Sequence, residues 1–80
     1  MSDKLDAAER YDLPDSEFGL PRRREFPMPD AAHVRAAEAY FRYCPDADKG
    51  ELARNILRKA AEFGVDVKSP TILSWANEEI

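Results

Sequence analysis

His33 is the only histidine and Cys44 the only cysteine of this 80-residue chain, and they are the first side chains to weigh for acid–base, nucleophilic or metal chemistry. A histidine base needs a nucleophile within hydrogen-bond reach and a group to orient it. Ser16, Ser69, Thr71 and Ser74 are available, but none stands in a nucleophile motif. His33 therefore reads as a capping or packing side chain. Cys44 precedes Pro45 at the end of a helical run, and that end of a helix disfavours the thiolate a reactive cysteine needs. It reads as a structural thiol. A metal site of His33, Cys44 and Asp46 would draw its ligands from separate turns without a second histidine, unlike the paired spacings of zinc sites. No catalytic residue, cofactor or metal ligand is assigned, and the chain reads as a non-enzyme.

Two groups of residues suit binding instead. Arg22, Arg23 and Arg24 are consecutive, and Arg54, Arg58 and Lys59 form a second basic strip on a helix, with Arg54 and Arg58 neighbours at a spacing of four. Folded together, these six make a positive patch for phosphates, with Phe26, Tyr40 and Tyr43 at hand for base stacking. The competing reading is a solvated turn plus a helix face neutralised by Glu51 and Glu62. The second group is Tyr40-Phe41-Arg42-Tyr43, whose rings cannot all face one core, and exposed aromatics mark contact surfaces. Trp75 poses the same question. Tyr40, Tyr43 and Trp75, with the six cations, are the candidate partner-binding residues.

Composition favours a protein partner over nucleic acid. The net charge is −4 and the sequence pI about 4.9, whereas nucleic-acid binding rests on clustered Lys and Arg. The charge is uneven: an acidic arm (Asp3, Asp6, Glu9, Asp12, Asp15, Glu17), a mildly basic middle and an acidic tail. A chain this short buries only about 60–65% of its unfolded surface, which leaves little room for an enclosed active site. One cysteine cannot make an internal disulfide, which suits a reducing cytoplasm. The first residues lack the apolar stretch of a secretory leader, and no apolar run approaches the roughly 20 residues of a membrane span.

The elements that must position these residues follow from punctuation and periodicity. Residues 1–12 read as an acidic arm. Residues 13–29 hold Pro14, Pro21, Pro27 and Pro29, and each proline pushes its predecessor towards extended backbone. Leu13, Phe18, Leu20, Phe26 and Met28 make this an apolar strap laid over helices, turning at the three arginines. A first helix spans about 30–44, with Asp30 as N-cap and Val34, Ala37, Phe41 and Cys44 inward. A second spans about 49–63: Asp48 and Glu51 read as a capping box, Leu52, Ala53, Ile56, Leu57, Ala60 and Phe63 as its apolar stripe, and Gly64 as a left-handed terminator. Ser69-Pro70 opens a third helix over about 70–79, with Ile72, Leu73, Trp75 and Ala76 inward. The expectation is a single all-α domain over 13–80: an antiparallel helical hairpin, a short C-terminal helix and an extended proline-rich strap.

The run Leu13-Pro14-Asp15-Ser16-x-Phe18, then Arg24-x-Phe26-Pro27-Met28-x-Asp30 and His33-Val34-Arg35, resembles a small uncharacterised domain of phage and prophage proteins, found alone or near the C-termini of head-associated proteins. The likeness covers residues 13–64; the acidic arm and the tail from Ser69 depart from it. It implies a bacterial host cytoplasm or a virion as the setting, no activity, and a strap that acts with Asp30 and His33 as one structural unit. The leading reading is accordingly a phage- or prophage-encoded adaptor that binds another protein. Nucleic-acid binding through the basic patch is the alternative, and a small acidic, anti-CRISPR-like inhibitor of a host defence complex is a third.

Overall fold

The computed structural model describes residues 12–77. The acidic arm up to Tyr11 and the expected end of the third helix beyond Asn77 lie outside the described residues. A 3₁₀ turn at Asp15–Glu17 leads into strand β1 (Phe18–Leu20), a second such turn at Pro21–Arg23 and strand β2 (Glu25–Pro27). Helix α1 (Ala31–Tyr40) follows, then a 3₁₀ turn at Phe41–Tyr43, the long helix α2 (Asp46–Phe63) and helix α3 (Pro70–Asn77).

The fold is mixed, which corrects the all-α expectation. Residues 13–29 are not a simple extended cover. They double back as a two-stranded antiparallel ribbon, with Phe18 opposite Pro27 and Leu20 opposite Glu25. The ladder continues through Met28, whose N–H donates to the Glu17 carbonyl at 2.7 Å. The reversal does fall at the arginines: Arg24 takes the left-handed conformation (φ 50°) and its N–H donates to the Pro21 carbonyl at 3.1 Å. Pro27 has no N–H for a ladder, which a ribbon with open edges accommodates.

The helical hairpin is also corrected. The main partners of α2 are α3 and β1, while α1 shares itself between α2 and β2. Three elements are thus arranged around one long helix. The ribbon is part of the core: Phe18, Leu20 and Met28 are buried together with Val34, Ala37, Phe41 and Cys44, with Leu52, Ala53, Ile56 and Ala60 of α2, and with Ile72 of α3. In a chain with so little interior, these ribbon side chains supply apolar burial that two short helices lack. Leu73, expected inward, is exposed instead; Ile72 alone on α3 is fully inside, and Trp75 and Ala76 pack at the margin.

Helix ends follow local chemistry in three of four instances. Gly64 adopts φ 70° and ends α2, with the Val65 N–H on the Ala60 carbonyl at 2.8 Å. Ser69 caps α3 through its hydroxyl, which accepts from the Ile72 N–H at 3.3 Å. Asp30 caps α1, its carboxylate accepting from the His33 N–H at 2.9 Å and from His33 Nδ1 at 2.7 Å. The capping box is the exception. Helix α2 starts at Asp46 after an uncapped Pro45, so Asp48 lies inside the first turn, where its charge complements the helix dipole.

Asp30 has a testable pH signature. Burial pushes its carboxyl upwards, but hydrogen bonds from the His33 side chain and N–H, the His33 charge and the Ala32 N–H outweigh this and leave it below the ordinary 3.8. A depressed carboxylate stabilises fully above its unfolded value and loses that contribution as pH falls through the folded one. Asp30→Asn should keep the cap yet flatten the acid limb of the stability–pH curve. Asp30→Ala should cost about 1 kcal/mol at neutral pH, read by urea unfolding across pH 2–7. The effect is modest because the Asp30 side chain is 57% exposed.

Candidate functional site

The corner between α1 and α2 carries the exposed aromatic surface. Phe41 turns inward and is 3% exposed, whereas Tyr40 and Tyr43 are 55% and 68% exposed. Their position follows from the helix breaking: α1 ends at Tyr40 and the chain tightens into the Phe41–Tyr43 turn, which swings one ring in and leaves its neighbours out. The two tyrosine ring centroids lie 6.2 Å apart with planes tilted by 38°. The Arg42 guanidinium lies 5.0 Å from the Tyr43 centroid, a distance at which a cation is attracted to the ring. Neither tyrosine hydroxyl makes a hydrogen bond to a described residue. With Glu25, Phe26, Cys44 and Pro45, the tyrosines line a shallow, mainly apolar groove of about 380 Å³.

The ribbon brings Glu25 and Phe26 to this groove from the opposite side. Phe26 holds φ 59°, a left-handed conformation that a bulky residue rarely adopts and that costs on the order of 1–3 kcal/mol. Its ring is half-buried against the core. Glu25 is exposed and pairs with no described cation. Cys44 is buried at the groove's base. Burial, and after it the nearby Asp48 carboxylate, push its thiol above the ordinary value, so it stays protonated at neutral pH.

The six basic residues are not brought together as one open patch. Arg24 folds back over the ribbon: its guanidinium donates to the Leu13 carbonyl and the Asp15 carboxylate, each at 2.9 Å, and stacks 4.5 Å from the centre of the Phe18 ring. Arg23 pairs with Asp48 at 3.0 Å, and Arg22 stands 4.0 Å from Glu51 while 91% exposed. Arg58 donates to the Ser16 carbonyl at 3.1 Å. Lys59, read as a surface cation, is 2% exposed and pairs with Glu17 and, at 3.2 Å, with Glu62. Arg54 is exposed and pairs with no described carboxylate. Trp75 is half-buried against the core, with the Lys49 ammonium 5.8 Å from its centroid, and stands apart from the tyrosine groove.

A polar stripe that escaped the sequence reading explains where these charges go. Asp48, Glu51, Asn55, Arg58 and Lys59 recur at helical spacing along α2 and face the ribbon. Asn55 donates to the Gly19 carbonyl at 2.8 Å, and the others take Arg23, Arg22, the Ser16 carbonyl and Glu17. A second depression, of about 210 Å³, lies among Leu20, Arg22, Arg23, Asp48 and Glu51, where the charges already answer one another. Of the acidic residues weighed for an inhibitor, Asp15 and Glu17 are held by Arg24 and Lys59, and Asp3, Asp6 and Glu9 lie outside the described residues.

His33 is 8% exposed, with Nδ1 donating to Asp30 and Nε2 buried without a hydrogen-bond partner among the described residues. Among the described residues no His, Cys, Asp and Glu side chains cluster to hold a metal ion, and no helix is long and apolar enough to cross a membrane.

Residues 3–70 match a family of unknown function, DUF6582. The chain belongs to that family. The match takes in most of the acidic arm, the ribbon, α1 and α2, and stops at the first residue of α3. No curated protein and no solved structure matches the chain. For this DUF6582 member, function has to be argued from its own surface.

Proposed function

We propose that this chain is a phage- or prophage-encoded, non-catalytic adaptor domain that docks another protein on the Tyr40–Tyr43 face. The observation that carries the reading is the pair of adjacent tyrosines, 55% and 68% exposed beside an apolar groove. Tyrosine supplies large contact area at low entropic cost, which is why it recurs at interface hot spots. The basic residues favour the same reading. Arg23, Arg58 and Lys59 are spent holding the ribbon to α2, Arg24 is spent within the ribbon segment, and Glu25 beside the aromatics repels a phosphate backbone. The phage setting, with action in the bacterial cytoplasm or on the virion, rests on the resemblance of the Leu13–His33 run. That run has a physical unity: Leu13, Asp15 and Phe18 all meet the Arg24 guanidinium.

A photo-crosslinking residue at position 43, with the same residue at exposed Thr71 on α3 as control, tests the reading in the cells that make the protein. A discrete adduct from position 43, identified by mass spectrometry and absent from position 71, is the expected result. Equal background from both positions overturns it.

A further inference from the structure

We infer that the occupant of the Tyr40–Tyr43 groove is an extended, proline-rich segment of the partner carrying an arginine or lysine beside Glu25. This rests on the docking face proposed above and adds the chemistry of its ligand. Two properties of the groove select that ligand. Among the described residues its lining is mainly aromatic and prolyl, with Glu25 as the one charged side chain. That carboxylate has no described partner, so an incoming cation gains an ion pair without displacing one. Arg42 packs on Tyr43 but is not part of the groove lining.

The second property is the pair of tyrosine hydroxyls, both unbonded within the described chain. Both stand on side chains more than half exposed, so they are open to donate to the carbonyls of a ligand. A docked α-helix hides its carbonyls in its own hydrogen bonds. A polyproline II strand has no internal hydrogen bonds and presents every carbonyl outward. Aromatic-lined grooves reading stiff proline segments are a recurrent mode because the ligand is already ordered before it binds.

The test is a titration of the ¹⁵N-labelled full chain with a synthetic ten-residue peptide rich in Pro and Leu with one central Arg. Parallel titrations use a peptide with that Arg replaced by Ala and one with the prolines replaced by Ala. Saturable shifts confined to Glu25–Phe26 and Tyr40–Cys44 are expected. Tyr43→Ala and Tyr40→Ala, both at exposed sites and checked for an unchanged melting curve, should each weaken binding about tenfold or more. Glu25→Gln should weaken the Arg peptide and leave the Arg-free peptide unchanged. Absence of saturation, equal binding of the proline-free peptide, or indifference to both tyrosine substitutions overturns the inference. So does concentration-dependent dimerisation abolished by Tyr43→Ala, which would make a second copy the occupant. An adduct from position 43 that persists when peptide binding fails keeps the docking face and removes only the proline-rich ligand.

Discussion

Lys59→Ala is expected to destabilise the folded chain by about 3–5 kcal/mol, the cost of breaking a buried ion pair by removing one partner. Domains of this size hold only about 0.05–0.15 kcal/mol per residue in total, so such a loss takes a large share of the stability. The Lys59 side chain is 2% exposed, and its ammonium bonds Glu17 of the ribbon and Glu62 one turn along α2 while lying 5.1 Å from the centre of the Phe63 ring. Deleting it leaves Glu17, itself 22% exposed, as an ion without its counter-charge, and also strips the packed methylene stem. The ribbon should detach first, because Glu17 immediately precedes β1. Guanidinium unfolding measures the loss, and amide exchange at Met28, whose N–H bonds the Glu17 carbonyl, locates it. Lys59→Met with Glu17→Leu should recover most of the stability, since replacing both ions by apolar groups removes the desolvation cost with the pair. If Lys59→Ala unfolds within about 1 kcal/mol of the parent, the pair is not what holds the ribbon.

Lys59 also shows how far the sequence could be read and where type misled pattern. Leu52, Ile56 and Ala60 repeat every fourth residue, and Lys59 stands seven after Leu52, on the face they define. Periodicity placed it inside; its charge suggested outside, and the carboxylate that makes burial tolerable, Glu17, lies 42 positions away. Helix caps were legible because their chemistry is local: Asp30, Gly64 and Ser69 act on groups within a few residues. Asp48 and Glu51 matched a capping box equally well, but their partners turned out to be Arg23 and Arg22 in the ribbon. The ribbon escaped for a related reason. Strands of three residues are too short to show alternation, and prolines demote a strand reading; what makes Phe18-Gly-Leu and Glu25-Phe-Pro a pair is α2 beneath them. The exposure of the two tyrosines was legible from the crowding of rings on one helix, whereas the sorting of the arginines depended on contacts the chain order does not reveal.

Gly19 is the position where that ribbon–helix contact should prove least forgiving. A Cβ added there would lie 2.4 Å from Leu52 Cδ1, 3.1 Å from Phe26 Cβ and 3.2 Å from Met28 Cε. Leu52 and Met28 are both fully buried, so their side-chain ends have no open space to enter. The strand cannot drift away without stretching the 2.8 Å bond that Asn55 makes to the Gly19 carbonyl. Gly19→Ala should therefore destabilise by about 1–3 kcal/mol through overpacking, although alanine is ordinarily harmless in size. Gly50→Ala provides the contrast. Gly50 lies within α2, and its added Cβ would meet only the mobile end of Arg54 at 3.3 Å and the Trp75 carbonyl at 3.7 Å. That substitution should stabilise by about 0.5–1 kcal/mol through helix propensity. A double-mutant cycle of Gly19→Ala with Leu52→Val isolates the cause. Valine withdraws the δ-methyl that collides, so the two losses should fall short of additivity by about 0.5 kcal/mol or more, as expected of residues in contact. Strictly additive losses would mean that the strand, and not the leucine, absorbs the new methyl. In that event the Asn55–Gly19 bond would be the weaker partner, and Asn55→Ala would cost little more in the Gly19→Ala background than the added methyl has already cost.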